Sequence, residues 1–126
     1  MTNVLITGAN RGLGLGFVKK YLKKNVNVFC TTRDVLGSKE LLDCKEKYPK
    51  NLEIFELDLL EEGTPSVLAN LLDDRPIDIL INNAGVGSSN QHFEAVSSKL
   101  WLEVLKVNLI APLMITQSII DNAKKV

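Results

Sequence analysis

The 126-residue sequence has few of the side chains that build metal centres and redox sites: one histidine and two cysteines. Cys30 and Cys44 form neither a CxxC pair nor a metal-ligand spacing, so they are expected to be two ordinary thiols. His92 lies in the polar stretch SSNQHF and is expected to be exposed to solvent. The sequence therefore predicts no metal site.

An excess of charge is also missing. Fifteen basic residues balance fifteen acidic ones, so no global field attracts nucleic acid or an anionic membrane. A lysine quartet, Lys19, Lys20, Lys23 and Lys24, has no aromatics interleaved and indicates a solvated helix face. The opening MTNVLITG has no basic n-region, and no stretch approaches the length of a membrane span. We expect one cytoplasmic domain over residues 1–126, with no nucleic-acid or membrane partner.

Short apolar runs alternate with helical patterns along the chain. The apolar runs predict strands covered on both faces over residues 3–7, 27–32, 52–57 and 77–82. Amphipathic periodicity predicts helices over residues 12–24, 39–48, 66–73 and from residue 97 onward, the last interrupted near Pro112. This rhythm predicts an α/β fold of right-handed βαβ units around a parallel sheet.

Three glycines, Gly8, Gly12 and Gly14, lie where the first strand ends and the first helix begins. A βαβ fold directs unpaired backbone N–H groups towards an anion at this place. Gly8 would permit the tight exit from the strand, Gly12 the close approach of the backbone to a ligand, and Gly14 close packing of the helix on the sheet. The spacing is GxxxGxG and not GxGxxG; a glycine-rich turn that binds nothing is the alternative, which the strand and helix context disfavours.

Four motifs in order along the chain resemble those of the short-chain dehydrogenases/reductases. TGANRGLG is similar to their TGxxxGxG cofactor loop, and NNAG at residues 82–85 follows the fourth strand, as it does in that family. Asp58, followed by Leu59, ends the third strand and is similar to the family's acidic residue at this place. Asn108, within LEVLKVNLIAP, is similar to the asparagine of the family's catalytic residues. The resemblance covers essentially the whole chain and is finest to the C-factor and sniffer-like carbonyl reductases. It implies a Rossmann-type, doubly wound sheet with the first four strands in the order 3-2-1-4, incomplete at the C-terminus.

The resemblance also implies site residues. Asp58 would meet the adenine ring, Asn83 would hydrogen-bond backbone across the sheet, and Asn108 would be catalytic by supporting a proton-relay water. Asp58 as a turn cap and Asn108 as a structural helix residue are the alternatives. The implied cofactor-binding residues are Gly8, Asn10, Arg11, Gly12, Leu13, Gly14, Arg33, Asp58, Leu59, Asn82, Asn83, Ala84 and Gly85.

The charge after the second strand bears on the choice of cofactor. NAD enzymes place an acidic residue there for the ribose 2′-hydroxyl, whereas NADP enzymes need a cation for the 2′-phosphate. This sequence supplies Arg33, and Arg11 could reach the same phosphate from the glycine loop. NADP is therefore the favoured cofactor. NAD would be favoured instead if Asp34, and not Arg33, faced the ribose.

The family's reaction is reversible hydride transfer between NADPH and a small-molecule carbonyl substrate, with the proton supplied by the tyrosine of a Tyr-x-x-x-Lys motif. That motif is missing here, because Tyr21 is followed four places on by Asn25 and Tyr48 by Leu52. We expect the cofactor-binding part of a longer carbonyl reductase; the alternative is a catalytically inactive NADP-binding or partner-binding module. The final helix resembles one that pairs between subunits, which implies a homo-oligomer.

Overall fold

The computed structural model describes residues 1–86 and 96–126, so the prediction for His92 lies outside the described residues. Four parallel strands form one sheet in the order β3-β2-β1-β4. The predicted α/β fold and strand order are confirmed. The strands are β1 (Asn3–Ile6), β2 (Asn27–Thr32), β3 (Leu52–Glu56) and β4 (Ile79–Ile81).

Strand β1 lies in the middle of the core, and this position explains why its sequence is apolar without alternation. Val4, Leu5 and Ile6 are all 0% exposed. Side chains alternate between the faces of a strand, and Val4 and Ile6 belong to one apolar cluster while Leu5 belongs to the other. An uninterrupted apolar run is therefore what a strand between two helical layers requires.

Helices cover both faces of the sheet. Helix α1 (Gly12–Lys23) and helix α2 (Lys39–Lys47) contribute apolar residues to the cluster that contains Val4, whereas helix α3 (Thr64–Leu72) packs in the cluster that contains Leu5. This arrangement is a doubly wound sheet. The lysine quartet of α1 and of its C-cap residue Lys24 is exposed, as predicted for a solvated helix face.

The C-terminal helical region has irregular geometry shortly before Pro112. Helix α4 (Ser98–Leu105) continues into a π-helical turn (Lys106–Ile110), which is followed by helix α5 (Ala111–Ser118) and helix α6 (Ile120–Lys124). Pro112 lies in the first turn of α5, where a residue without an N–H is tolerated. The predicted interruption near Pro112 is found as the π turn, which ends two residues before the proline, and a second break, not predicted, occurs at Ile119.

The segment Ser98–Ser118 also corrects the prediction that no stretch approaches a membrane span. Taken together, α4, the π turn and α5 form a continuous helical segment of 21 residues that is long and apolar enough to cross a membrane, by length and composition only. Core helices of globular proteins meet the same criterion, so it is weak evidence for a membrane. Several of its apolar side chains are exposed, among them Leu102, Leu109 and Leu113. Trp101 on the same helix is 52% exposed and does not belong to the core.

Strand β4 is shorter than the predicted run over residues 77–82. The N–H of Ile77 donates to the carbonyl of Asn122 in α6 at 3.1 Å, so this residue is paired with a helix and not with β1. The buried side-chain amide of Asn122 donates in turn to the carbonyls of Asp73 and Arg75 at 2.9 and 2.8 Å. These contacts fix the entry to β4, at the edge of the sheet nearest the C-terminal helices.

Candidate functional site

A cleft of about 330 Å³ opens where the carboxyl ends of the four strands meet. In a doubly wound sheet, ligands bind at this edge, next to the point at which the strand order reverses. Most of the predicted cofactor-binding residues line the cleft together: Gly8, Asn10, Arg11, Gly12, Arg33, Asp58, Leu59, Asn83, Ala84 and Gly85.

The loop after β1 packs closely against β2 and the NNAG segment. Gly8 has φ +66°, and a Cβ built on it would lie 2.7 Å from the Cα of Ala84. Its N–H donates to the hydroxyl of Thr31 at 3.3 Å, and the N–H of Ala9 donates to the carbonyl of Thr31 at 2.9 Å. Gly8 is therefore required both for its backbone conformation and for the space that a side chain would fill.

The next two glycines have different roles. Gly12 has φ +58° and lines the cleft, and a Cβ built on it meets no atom within 4 Å, so the space beside it is open. Gly14 is buried, and a Cβ there would overlap the carbonyl oxygen of Gly8 and the side-chain amide of Asn83. Gly14 thus permits the helix to pack on the glycine loop and the NNAG segment, whereas the sequence pattern had suggested packing on the sheet.

Thr7 connects the glycine loop to NNAG, and the sequence analysis did not identify it. Its hydroxyl, in a side chain that is 1% exposed, accepts the N–H groups of Asn83 and Ala84 at 3.1 Å each. The Asn83 side chain donates back to the carbonyl of Gly8 at 2.9 Å. Asn83 therefore makes the structural hydrogen bond expected of it, while its neighbour Ala84 contributes to the cleft wall.

The N-terminus of α1 opens into the cleft without a side-chain cap. Arg11 occupies the N-cap position and makes no capping hydrogen bond, and the first turn contains no acidic residue. The first N–H groups of a helix have no partner within it, and together with the helix dipole they favour a negatively charged group. Arg11 and Gly12 both line the cleft, so this end of α1 is suited to an anion.

The segment after β2 places a cation and a carboxylate side by side. Arg33 is exposed and lines the cleft. Asp34 lines it too, but its Oδ1 accepts the N–H of Gly37 at 3.0 Å, which closes a turn. Of the two residues that the sequence left in competition for the ribose, Asp34 already has a hydrogen-bond partner within its own loop.

Asp58 and Leu59 form the part of the wall that follows β3. Asp58 is partly buried; its Oδ1 accepts the N–H of Leu60 at 3.0 Å and its carbonyl accepts the hydroxyl of Thr64 at 2.6 Å. Asp58 is thus a turn cap as well as a cleft residue. The alternative reading and the predicted one are geometrically compatible, and adenine recognition stays a prediction.

Four predicted site residues do not line the cleft. Leu13 is 77% exposed on α1, and Gly14 lies beneath the glycine loop. The Asn82 amide donates to the hydroxyl of Thr116 on α5 at 3.2 Å. Asn108 lies in the π turn, where its side chain bonds to the backbone of Val86, the residue after NNAG. Their functional roles stay predictions.

The cleft also contains wall residues that the sequence analysis did not name. Two of them, Thr31 and Thr32, stand at the carboxyl end of β2, and Leu57 directly precedes the predicted pair after β3. Their positions at strand ends were the available signal, because all carboxyl ends of a parallel sheet share one edge. Val107 could not be found this way, since it reaches the cleft from the π turn.

The two cysteines are buried thiols. Burial raises the pKa of Cys30 to about 12, with a smaller contribution in the same direction from Cys44. Burial likewise raises the pKa of Cys44. Neither is poised as a nucleophile, in agreement with the prediction of ordinary thiols. Over residues 1–86 and 96–126, no group of three or more His, Cys, Asp or Glu could hold a metal ion.

Comparison with known proteins assigns this fold and cleft to a family. The family model of the short chain dehydrogenases matches residues 2–125. The chain is 38% identical over 126 residues to the 3-oxoacyl-(acyl-carrier-protein) reductase FabG of Buchnera aphidicola, and 29% identical over 131 residues to the benzil reductase of Bacillus cereus. A crystal structure of a carbonyl reductase from Pseudomonas aeruginosa PAO1 in complex with NADP superimposes with a TM-score of 0.88 at 33% identity, over 94% of this chain and 54% of that one.

The chain belongs to the short-chain dehydrogenase/reductase family, whose members are oxidoreductases that use nicotinamide cofactors and act on small molecules. The predicted membership of this family is therefore confirmed. The aligned region covers 96% of this chain and 49% of the Buchnera aphidicola enzyme, and 99% of this chain and 52% of the benzil reductase. The chain thus spans about half the length of the curated relatives it matches.

Proposed function

We propose that this chain is the cofactor-binding part of an NADPH-dependent reductase of aldehydes or ketones. The observation that carries the proposal is that two exposed arginines, Arg11 and Arg33, line the same cleft. Planar guanidinium groups bind phosphate in a bidentate manner, and a 2′-phosphate distinguishes NADP from NAD. The NADP complex of the similar carbonyl reductase supports the same choice.

The residues present fit a dinucleotide. The open space beside Gly12 and the end of α1, which has no side-chain cap, can accept a pyrophosphate, because no Cβ intervenes and the first N–H groups of a helix have no partner within it. Ala84 and Gly85 are small enough for a ribose to approach their backbone closely. When bound, NADPH would supply the hydride; Arg11, Arg33 and the glycine loop would bind and orient it.

The proposed reaction involves a small-molecule carbonyl compound as hydride acceptor. Asn108 is proposed to serve the proton relay, and the proton donor would have to come from a Tyr-x-x-x-Lys motif, which these 126 residues do not contain. We further propose a cytoplasmic location and self-association through the exposed apolar side chains of α4 and α5, such as Leu102 and Leu113.

A second candidate is a nucleotide-binding or partner-binding module without catalysis. This candidate needs only the cleft, which these 126 residues supply, whereas neither Tyr21 nor Tyr48 is followed by lysine at the fourth position. Joining a segment that carries the family's serine, tyrosine and lysine separates the two candidates. Turnover of a carbonyl compound by the joined protein supports the reductase, whereas NADPH binding without turnover supports the module.

Titration of the 126-residue chain with NADPH and NADH, followed by nicotinamide fluorescence, tests the cofactor assignment. We expect NADPH to bind at least about tenfold more tightly, because a charge-assisted hydrogen bond contributes roughly 1.5–3 kcal/mol. Equal affinities, or a preference for NADH, would contradict the assignment to NADP. A chain that is folded by circular dichroism but binds neither nucleotide would contradict the proposed function as a whole.

A further inference from the structure

We propose that Asp34 is a positioning residue for coenzyme preference: its carboxylate is engaged in closing the loop after β2, which leaves Arg33 to recognise the 2′-phosphate. The inference rests on the proposed NADPH site. An acidic side chain at the end of β2 ordinarily favours NAD, because it accepts the ribose 2′-hydroxyl and repels a 2′-phosphate. Here the acid immediately follows the arginine, so the direction of its side chain decides which cofactor the loop accepts.

The Asp34 carboxylate is engaged within the loop. Its Oδ1 accepts the N–H of Gly37 at 3.0 Å, a local side-chain-to-backbone bond of the kind that aspartate and asparagine form in turns. A Cβ built on Gly37 would overlap Asp34 Oδ2. The described glycines with positive φ are Gly8 and Gly12, so Gly37 is needed for space and not for its backbone conformation. The turn thus accepts the carboxylate because position 37 has no side chain.

Both ends of this loop are fixed by buried hydroxyl groups. The Ser38 hydroxyl donates to the carbonyl of Asp34 at 2.6 Å and lies 3.2 Å from the Thr32 hydroxyl. Since Ser38 has a single hydroxyl hydrogen, Thr32 is the donor in that second contact. Thr32 and Ser38 are each 3% exposed. The loop therefore begins and ends on buried side chains, which limits the directions open to residues between them.

A second carboxylate near the loop is engaged in a similar way. Glu56, the last residue of β3, accepts the N–H of Val35 at 3.0 Å through its Oε2. The two acidic side chains that bond to this loop, Asp34 and Glu56, each accept a backbone N–H from it. Arg33 is also an exposed, charged residue of this segment, and it lines the cleft. Among the described contacts, its side chain has no hydrogen bond to the loop backbone.

The two possible roles of Asp34 predict opposite effects of removing its charge. A positioning carboxylate can be replaced by asparagine, whose amide oxygen accepts the same N–H of Gly37. If the carboxylate instead faced the ribose, asparagine would change the cofactor preference, because the charge that repels the 2′-phosphate would be lost. Asp34→Asn therefore distinguishes the roles, while Asp34→Ala removes the turn in either case.

The experiment titrates NADPH and NADH into the parent chain and three variants, Asp34→Asn, Asp34→Ala and Gly37→Ala. Asp34→Asn is expected to keep both dissociation constants within about twofold. Asp34→Ala is expected to weaken NADPH roughly three- to tenfold, the effect of losing one hydrogen bond, and to leave NADH within about twofold. Gly37→Ala displaces the carboxylate from its turn and is expected to weaken NADPH in the same direction.

Asp43→Asn is the matched control, because Asp43 is an exposed aspartate of the neighbouring helix α2 that does not line the cleft. Its affinities should equal those of the parent. Hydrogen exchange at the Gly37 amide provides a measurement that needs no nucleotide: protection is expected in the parent and Asp34→Asn, and faster exchange in Asp34→Ala.

Two results would overturn the inference while leaving the NADPH site intact. Tighter NADPH and weaker NADH in Asp34→Asn would show that the carboxylate faces the ribose. Unchanged NADPH affinity in both Asp34→Ala and Gly37→Ala would show that the turn has no influence on the cofactor. A parent chain that binds neither nucleotide would instead overturn the proposed function, and this inference with it.

Discussion

Asn108 and Val86 exchange two hydrogen bonds: the Asn108 Oδ1 accepts the Val86 N–H at 2.8 Å, and its Nδ2 donates to the Val86 carbonyl at 2.8 Å. The side-chain amide thus pairs with a backbone as a neighbouring strand would. The pairing fixes the π turn to the residue that directly follows NNAG, and Val86 itself lines the cleft. An asparagine that is unfavourable in a helix by propensity is here supported by a long-range partner.

Loss of this pairing should destabilise the chain. Asn108→Leu removes both hydrogen bonds, so the free energy of unfolding is expected to fall by about 1–2 kcal/mol, measured by urea denaturation. Leu109→Ala is the control, because Leu109 lies in the same π turn and is 64% exposed; it should change stability by less than about 0.5 kcal/mol. Equal effects of the two substitutions would contradict a specific role of the amide.

Arg33 should contribute to NADPH binding and not to NADH binding. Arg33→Ala is expected to weaken NADPH by roughly 1.5–3 kcal/mol, because a charge-assisted hydrogen bond to the 2′-phosphate is lost. Fluorescence titration with both nucleotides measures this. Lys50→Ala, at an exposed lysine outside the cleft, controls for the loss of one positive charge. Similar losses for NADPH and NADH would show that Arg33 does not recognise the 2′-phosphate.

Gly12→Val should abolish nucleotide binding. The valine side chain would occupy the open side of the glycine loop, and φ +58° is unfavourable for a β-branched residue, at a cost of about 1–3 kcal/mol. Calorimetric titration with NADPH measures binding, and circular dichroism checks that the chain stays folded. Gly16→Val adds the same side chain at another open glycine of α1 and should still bind NADPH. Binding retained by Gly12→Val would mean that the loop is only a turn.

Alanine should have opposite effects at two neighbouring glycines of α1. Gly14→Ala places a Cβ against the Gly8 carbonyl and the Asn83 amide and is expected to cost about 1–3 kcal/mol by overpacking. Gly16→Ala meets no atom within 4 Å and should stabilise the helix by roughly 0.5–1 kcal/mol. Thermal and urea unfolding of both variants check the difference in sign; a tolerated alanine at position 14 would be incompatible with the close contact.

Stability should fall as the pH rises above about 9. Cys30 has a pKa near 12 when folded and 9.0 as its ordinary value, so the unfolded chain loses the thiol proton first. Its contribution to stability is complete below pH 9.0 and is lost between the two values, at up to about 1.4 kcal/mol per pH unit. Urea denaturation between pH 8 and pH 10 measures the slope. Cys30→Ala should reduce the slope, and Cys44, whose pKa is also raised by burial, keeps its own part of it; an unchanged slope would assign the dependence to groups other than Cys30.

The fold was largely predictable because buried strands and helix faces appear in the sequence as local apolar patterns. β2 was predicted over the residues it occupies, since a run such as NVFCTT suits a strand that is covered on both faces. The start of β4 was predicted too early because Ile77 is as apolar as a strand residue, whereas its N–H bonds to Asn122, which lies 45 positions further along the chain (122 minus 77). Apolar patterns report that a residue is buried and do not report which element it meets.

The site was predictable at its glycines and strand ends, and less so in its connections. Gly8 and Gly12 stand out because left-handed backbone favours glycine. The Thr7 hydroxyl and the Asp34 turn have no such signature, since threonine and aspartate are common at strand ends and in loops. The π turn at Asn108 was missed for a related reason: its geometry depends on the partner that the side chain finds at Val86.

The hydroxyl of Thr7 joins the first strand to residues 76 and 77 positions further along the chain. The glycine loop and Arg33 are therefore synthesised long before Asn83 and Ala84 can complete the wall opposite them. Contacts of such large sequence separation form late, because the intervening chain must first be closed into a loop. Nucleotide affinity therefore reports whether the cleft is complete, and a ligand that binds only the completed cleft would hold β4 in place by mass action.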